Sequence, residues 1–554
     1  MTTELQQKIH NAQTVNGIAP SEVNYKFHSL AQVLYHHASF GEKTWLIYYD
    51  EYNNRIEINY RDFVQSVRQC AALFTARGIR RGDRIATMCH NHPDTILVYF
   101  AAWAVGACVV PLNMTEDTDR LGYVLENCGA KIIICRQEYR HICDEIIPPS
   151  QPEIITIYNE PSTTDGFHTA LSLHNDYDFS TDTMLDCEAL IVYTSGTTGN
   201  PKGVVLVQRN LFADAVAIAE WHGITAEQRM MCVLPVHHVN GCIVTHVTPF
   251  IAGASVVLNR KFQTEHFFRR IADEQVTIVS VVPTLLAFLL DAKADDMSVK
   301  NHGFRHIICG AGPLTVDLAK NFYDYYGIPI IHGYGLSETT CYSCFIPSDL
   351  SEEDYKRWMV NEGFPSIGIP LPCNEMAIHD DKGNALQERE RGEIVIRGTN
   401  VMKEYYNNIA ANESTFAFSW FRSGDEGFFI YDEKQRPYFF ITGRIKELII
   451  RGGVNLAPLE IDEIINAAPG VKAGISVGFE NDFYGEEVGA LIIPEHDDID
   501  KETILAYCRE HLPFHKSPKV IVCTDALPVT STGKYQRNKV KHIFSAWKAI
   551  QFKK

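Results

Sequence analysis

Apolar residues along this chain gather in short runs, and most runs alternate with longer stretches that are apolar on one face only. Ala189–Tyr193 is an apolar run of strand length and Gly203–Val207 is another, after which Leu211–Trp221 carries its apolar residues at helical spacing. Phe304–Cys309, Leu314–Tyr326 and Ile328–His332 repeat the strand–helix–strand order. Such alternation predicts α/β layers with mostly buried sheets. The most apolar stretch, Ile96–Val110, is interrupted by Gly106 and is shorter than the ~20 residues of a membrane span. It predicts a helix packed under a sheet, followed by a short strand into Pro111. From about Gly392 the pattern changes to short β segments, Glu393–Arg397, Arg436–Thr442 and Glu447–Arg451. The tail then reads as strand, helix (Pro458–Ala467), strand (Gly474–Phe479), strand (Val488–Pro494), helix (Lys501–His511) and strand (Val520–Thr524). The expected fold is α/β: a large N-terminal domain of layered α/β subdomains with a β-rich subdomain, and a small α+β C-terminal domain.

Composition and charge narrow the function classes. The chain of 554 residues has a formal net charge of −18, which disfavours general nucleic-acid binding, since that rests mostly on phosphate neutralisation. A small phosphate ligand stays open because it needs only local donors. The fifteen Cys are scattered and odd in number, as expected of buried thiols in a reducing compartment rather than a disulfide framework. The first fifteen residues are polar and lack the apolar core of a signal peptide. The expected location is the cytoplasm, with no integral membrane segment.

Candidate chemistry begins at Ile191–Gly203. Gly196 and Gly199 let backbone pack closely round an anion, the hydroxyls of Thr194, Ser195, Thr197 and Thr198 can donate to phosphate oxygens, and Lys202 adds a charge. It is not a GxxxxGK[ST] loop, because Gly203 follows Lys202 and no helix start is signalled. Alone it also reads as a surface turn of small polar residues. It does not stand alone. Gly333-Tyr-Gly-Leu-Ser-Glu-Thr-Thr340, Trp420-Phe-Arg-Ser-Gly-Asp425, Thr442-Gly-Arg-Ile-Lys-Glu447 with Gly452-Gly-Val-Asn455, and Pro528-Val-Thr-Ser-Thr-Gly-Lys-Tyr-Gln-Arg537 follow in order. In order and spacing these motifs resemble the adenylate-forming superfamily, which includes acyl-CoA synthetases, adenylation domains of nonribosomal peptide synthetases and beetle luciferases. The resemblance runs from roughly residue 30 to residue 540.

That resemblance implies a carboxylate attacking the α-phosphate of ATP to give an acyl adenylate and pyrophosphate, then transfer to a thiol. Thr194, Ser195, Gly196, Thr197, Thr198 and Lys202 would clamp the leaving phosphates, and Glu338, with the Thr194 hydroxyl, would ligate Mg²⁺. Tyr334, flanked by Gly333 and Gly335, would lie against the adenine, with Gly310, Ala311 and Gly312 allowing close backbone approach on its other side. Asp425 would accept the ribose hydroxyls with help from Arg444. Lys534 would place positive charge between carboxylate and α-phosphate. Many relatives carry Thr where this chain has Ser337, which keeps a hydroxyl donor. The implied division is residues 1–443 and a mobile lid, 444–554, hinged at Lys446. After adenylation, Lys534 would leave and Gly453 would make room for a pantetheine arm. The expected acceptor is CoA, and the alternative is the phosphopantetheine of an acyl carrier protein; a non-catalytic nucleotide sensor is a third possibility.

The acyl pocket of such enzymes lies between Leu234–Gly241 and the Gly310–Leu314 loop. No Asp stands near the first segment to bind an α-ammonium. Val239, Gly241, Val281, Val282, Pro283 and Cys341 predict a mainly apolar pocket for a fatty or other hydrophobic acid, with His238 as an aromatic gate beside the reacting carboxylate. Cys341-Tyr-Ser-Cys344 has no second pair for zinc and reads as packing. The basic end, Lys534–Lys554, reads as a solvated terminal helix or as a steering surface for an anionic thiol donor.

Overall fold

The computed structural model describes residues 2–159, 166–174, 177–194, 200–297, 299–496, 499–529 and 535–553. Among these, the strands form four sheets. In the nine-stranded sheet a parallel core runs Thr44–Tyr49, Ser255–Asn259, Arg229–Cys232, Ile278–Val281, His306–Cys309 and Ile330–Tyr334, with antiparallel strands at both edges. In the seven-stranded sheet Glu153–Ile157, Ile132–Arg136, Arg84–Met88, Cys108–Pro111 and Glu188–Thr194 are parallel. Lys202–Val207 and Glu404–Tyr405 then extend that sheet antiparallel. Parallel strands need crossover helices that cover both faces, which is why their sequences are continuous apolar runs rather than alternating ones.

The apolar stretch noted above folds as helix Pro93–Ala104, buried along its length, followed by strand Cys108–Pro111. His92 caps the helix through the Asp94 N–H, and the Trp103 indole donates to the Ala189 carbonyl at 2.8 Å, tying the helix to its sheet. No described helix is long and apolar enough to cross a membrane.

The late β segments form a four-stranded antiparallel sheet, Asn374–His379, Gly392–Gly398, Phe421–Tyr431 and Pro437–Arg444. Two of these strands, Asn374–His379 and Phe421–Tyr431, were not read from the sequence. Their apolar residues are interleaved with buried Asn374, His379, Ser423 and Asp425, which masks the period-2 signal. The next strand, Ile449–Arg451, belongs to a five-stranded sheet with Val454–Leu456, Gly485–Pro494, Val471–Asn481 and Val520–Cys523, covered by helices Pro458–Asn466 and Lys501–His511. The chain thus passes from one sheet to another across the turn Ile445–Glu447.

The described part of the basic end is a mostly exposed helical segment pinned at two buried residues, Arg537 and Phe544. Arg537–Trp547 is a 3₁₀ segment whose Phe544 is fully buried and stacks on Phe479. Lys541 and Lys548 are paired with Glu486 and Glu480. All fifteen cysteines are unbridged, and thirteen are buried. Cys341 and Cys344 are both buried, and no described group of His, Cys, Asp or Glu is arranged to hold a metal.

Four buried histidines set an acid limit on this fold. His37, His246 and His332 each lie against a backbone carbonyl and His306 against His222. Burial pulls the first three down to about 4 and His306 to about 3. An unfolded chain takes up these protons near pH 6.5 while the fold does not, so stability is lost as pH falls from 6.5 toward 4. The melting temperature is expected to drop steadily across that window in thermal denaturation; a constant value between pH 6.5 and 4.5 would contradict it.

Candidate functional site

A cavity of about 740 Å³ opens where the parallel strands of the nine-stranded sheet end, the position at which open α/β sheets bind ligands. His332, Gly333 and Tyr334 reach it from strand Ile330–Tyr334, Thr194 and Lys202 from the seven-stranded sheet, and Asp425 and Arg444 from the four-stranded sheet. Asp462, Glu463 and Tyr535 to Lys539 close it from the C-terminal side.

The strands on either side of the 195–199 stretch, Glu188–Thr194 and Lys202–Val207, pair antiparallel. Thr194 ends one strand opposite Lys202, which begins the next, so no helix follows the loop, as the sequence predicts. Ser195, Gly196, Thr197 and Thr198 lie outside the described residues. Lys202 stands 4.2 Å from the Tyr405 ring centroid, and the Tyr405 hydroxyl donates to Glu338 Oε1 at 2.7 Å. Burial pulls the Lys202 ammonium below its usual value; Glu338 opposes this and Lys446 adds to it. Burial and the Glu338 carboxylate hold the Tyr405 phenol protonated. Tyr405 was missed from the sequence, because only the pairing of the two-residue strand Glu404–Tyr405 with Lys202–Val207 brings it here.

Glu338 itself sits on the 3₁₀ turn Ser337–Thr339 after Gly335, and Ser337 also borders the cavity. A Cβ at Gly335 would run into the Cys341 carbonyl oxygen, so glycine is required for this turn to fold back so tightly.

The second carboxylate is Asp425, 1% exposed. Gly424 adopts φ +74° beside a shift in register between Gly392–Gly398 and Phe421–Tyr431; such a bulge re-aims the following side chain. Asp425 Oδ2 accepts from the Tyr334 hydroxyl at 2.5 Å, and Arg444 Nε lies 2.8 Å from Oδ1. No donor is aligned on that buried Oδ1, and the Arg444 guanidinium is the charge beside it. Burial and the Asp425 charge keep the Tyr334 phenol protonated, and Asp425 holds Arg444 above its usual value. The sequence placed Tyr334 against a purine face; in the structure its hydroxyl is also the donor that orients Asp425.

Ala311 and Gly312 line the cavity, whereas Gly310 lies behind it with its Cα against the Tyr342 hydroxyl and Gly333 carbonyl. Gly453 is not at the cavity: it lies in an exposed turn with φ +82° and nothing near its Cα hydrogens. Lys534 lies outside the described residues, and Tyr535 to Lys539, which follow it, border the cavity.

The end expected to hold the acid is more polar than the sequence implies. Val239 and Cys341 line the cavity, but Gly241, Val281, Val282 and Pro283 do not. His237, His238, Asn240 and Tyr342 do. Strand residue Val281 is fully buried in the sheet core, and a Cβ on Gly241 would strike the Pro235 carbonyl.

Across the mouth, Glu463 accepts the Val316 N–H with both oxygens, at 3.1 and 3.2 Å. A C-terminal-domain carboxylate thus sits on the N-terminus of the large-domain helix Val316–Tyr326. Burial, with Asp317 and Asp462, raises Glu463 to about 8 despite that hydrogen bond. The folded protein then keeps a proton between about pH 4.5 and 8 that the unfolded chain releases, so this group's contribution falls as pH rises. Glu463→Gln is expected to raise the melting temperature relative to the native chain at pH 9 and to leave it unchanged at pH 4; equal shifts at both values would disprove the raised carboxyl.

One cavity thus gathers two buried carboxylates, Lys202 and the segment Tyr535 to Lys539, the residue types that the resemblance to adenylate-forming enzymes leads one to expect there. Known proteins agree. The AMP-binding enzyme profile matches residues 35–406, and the AMP-binding enzyme C-terminal domain profile matches residues 460–534. An oxalate–CoA ligase from Arabidopsis thaliana is 30% identical over 493 residues, covering 86% of this chain and 91% of that protein. The long-chain-fatty-acid–CoA ligase FadD13 of Mycobacterium tuberculosis H37Rv is 28% identical over 500 residues, covering 90% and 95%. ATP-bound MatB from Rhodopseudomonas palustris superposes with a TM-score of 0.84 at 25% identity, covering 94% of this chain and 99% of that one. The chain belongs to the AMP-binding enzyme family, and it is an acid–thiol ligase of the AMP-forming kind. The acids in the relatives' names run from oxalate to long-chain fatty acids, so the likeness leaves the acid to be argued from the pocket.

Proposed function

We propose that this chain is an acyl-CoA synthetase that activates a monocarboxylic acid of largely apolar body as its adenylate and transfers it to CoA. The observation that carries this reading is the meeting of Glu338, Lys202 and Asp425 on one cavity bordered by the residues that follow Lys534. Asp425, oriented by the Tyr334 hydroxyl and ion-paired with Arg444, fits a ribose diol. Lys202 fits the leaving phosphates, since Tyr405 holds it by its ring rather than by an opposing charge. The donor set fits Mg²⁺ carried on ATP: Glu338 keeps one oxygen clear of Tyr405 and Thr194 offers a hydroxyl, while no described cluster would hold a metal alone. Bound there, the ion would neutralise phosphate charge. Lys534 would stand at the reacting carboxylate, and His238 at the boundary of acid and nucleotide.

In this reading residues 1–443 form the body and 444–554 a lid that turns at Lys446 once the adenylate exists. The present arrangement, with Tyr535 to Lys539 at the cavity and Gly453 outside it, suits adenylation. Rotation would exchange the two faces, and a lid motion of this kind gates turnover in many enzymes.

ATP–pyrophosphate exchange dependent on added carboxylic acid tests the first half, and thioester formation with CoA the second. Lys534→Ala is expected to lower exchange by about 10²-fold or more while sparing thioester formation from supplied acyl adenylate; equal loss of both steps would overturn the two-arrangement account. Asp425→Ala is expected to raise the ATP KM more than tenfold. Thioester formed only on a carrier-protein arm would replace CoA as acceptor, and no exchange with any acid would leave a nucleotide sensor.

A further inference from the structure

Polar side chains border the cavity where the sequence places the acid. Asn240 begins the π-helical segment Asn240–Val247, and the residue is 6% exposed. Its oxygen accepts the Ser280 hydroxyl at 2.8 Å, and its nitrogen donates one hydrogen to the Tyr342 hydroxyl at 3.1 Å. The second amide hydrogen has no partner among the described residues. The Phe345 ring packs on Tyr342 at 4.3 Å, centroid to centroid. His237, from the preceding turn, also borders the cavity, and its buried Nε2 makes no hydrogen bond. Burial keeps that imidazole neutral. The cavity's described cations, Arg120, Lys202, Arg444 and Arg537 among them, come from helix Thr118–Cys128, strand Lys202–Val207, the four-stranded sheet and the residues after it, and none comes from the segments that carry Asn240 or Tyr342.

Three kinds of acid end meet these side chains differently. A methyl terminus leaves a buried amide hydrogen and an imidazole nitrogen unpaired, which is unfavourable. A second carboxylate would bring an unpaired charge to neutral groups, which is worse. A neutral oxygen accepts from Asn240, and a hydroxyl can meet His237 Nε2 in either tautomer, as donor or as acceptor. Resting on the acyl-CoA synthetase reading above, we propose that the substrate is a monocarboxylic acid bearing a neutral oxygen, as hydroxyl or carbonyl, at its far end, and that Asn240, held by Ser280 and Tyr342, selects it. A methyl-terminated acid and a dicarboxylic acid are both disfavoured by the same groups.

The test is acid-dependent ATP–pyrophosphate exchange by the full-length enzyme with matched phenylpropanoates carrying a para-hydroxyl, para-methyl or para-carboxylate group, and with a matching hydroxy-, methyl- and carboxy-terminated aliphatic set. The expected kcat/KM order is hydroxyl over methyl by about tenfold or more, with the carboxylate last. Asn240→Leu is expected to invert the hydroxyl-to-methyl ratio, mainly through KM. Tyr342→Phe keeps the volume and removes the group that orients Asn240, so it is expected to shrink the ratio and decides the matter if Asn240→Leu fails to fold. Native enzyme that uses the methyl acids as well as the hydroxy acids overturns this proposal and leaves the ligase reading intact, as does a ratio unchanged in the folded variant. Exchange with none of the acids overturns the adenylation reading, and this proposal with it.

Discussion

The buried carboxylate of Asp425 is the point on which the site depends. Its partner Tyr334 ends a strand of the nine-stranded sheet, Asp425 belongs to the four-stranded sheet, and Arg444 is the last residue before the chain enters the third. A charge taken out of water in this way is tolerated only with close partners. The ion pair and phenol therefore fix how the two large-domain sheets meet and where the crossover to the C-terminal domain begins. The bulge at Gly424 and the tight turn at Gly335 are the local deformations that bring these side chains together.

Charge elsewhere in the cavity follows the same economy. The protein is acidic overall, and most cavity cations are already matched: Arg120 with Glu116, Arg422 with Glu393, Arg444 with Asp425, Arg537 with Asp462. Lys202 is held instead against an aromatic face. A polyanion entering the cavity meets a field that is local, short-ranged in salt and set by a few groups rather than by net charge.

The C-terminal domain joins this arrangement through polar contacts more than through apolar burial. Glu463 on the helix start at Val316 holds it to the body, and Arg537 anchors the chain after Lys534 to Asp462 and to the Ser476 carbonyl within the domain. Contacts of this kind are specific in geometry yet modest in net energy.

Much of the fold was legible. Buried parallel strands write themselves as continuous apolar runs, and helix Lys501–His511 was read to the residue. Strands Asn374–His379 and Phe421–Tyr431 were not, because polar residues buried for the site interrupt their pattern. Glu338, Asp425, Lys202 and Tyr334 were legible because each sits in a glycine- and hydroxyl-rich segment whose chemistry is local. Tyr405, Glu463 and the Asn240–Tyr342 pair were not. By itself, then, the sequence determined the layered α/β class, the acidic charge balance and the chemical types of the side chains that line the cavity, since these follow from short-range pattern and composition. Only the tertiary structure decided which carboxylate is oriented by which phenol, which residues expected to form an apolar pocket turn into the sheet core, and what borders that pocket, because those depend on strand pairing and packing between residues far apart in the chain.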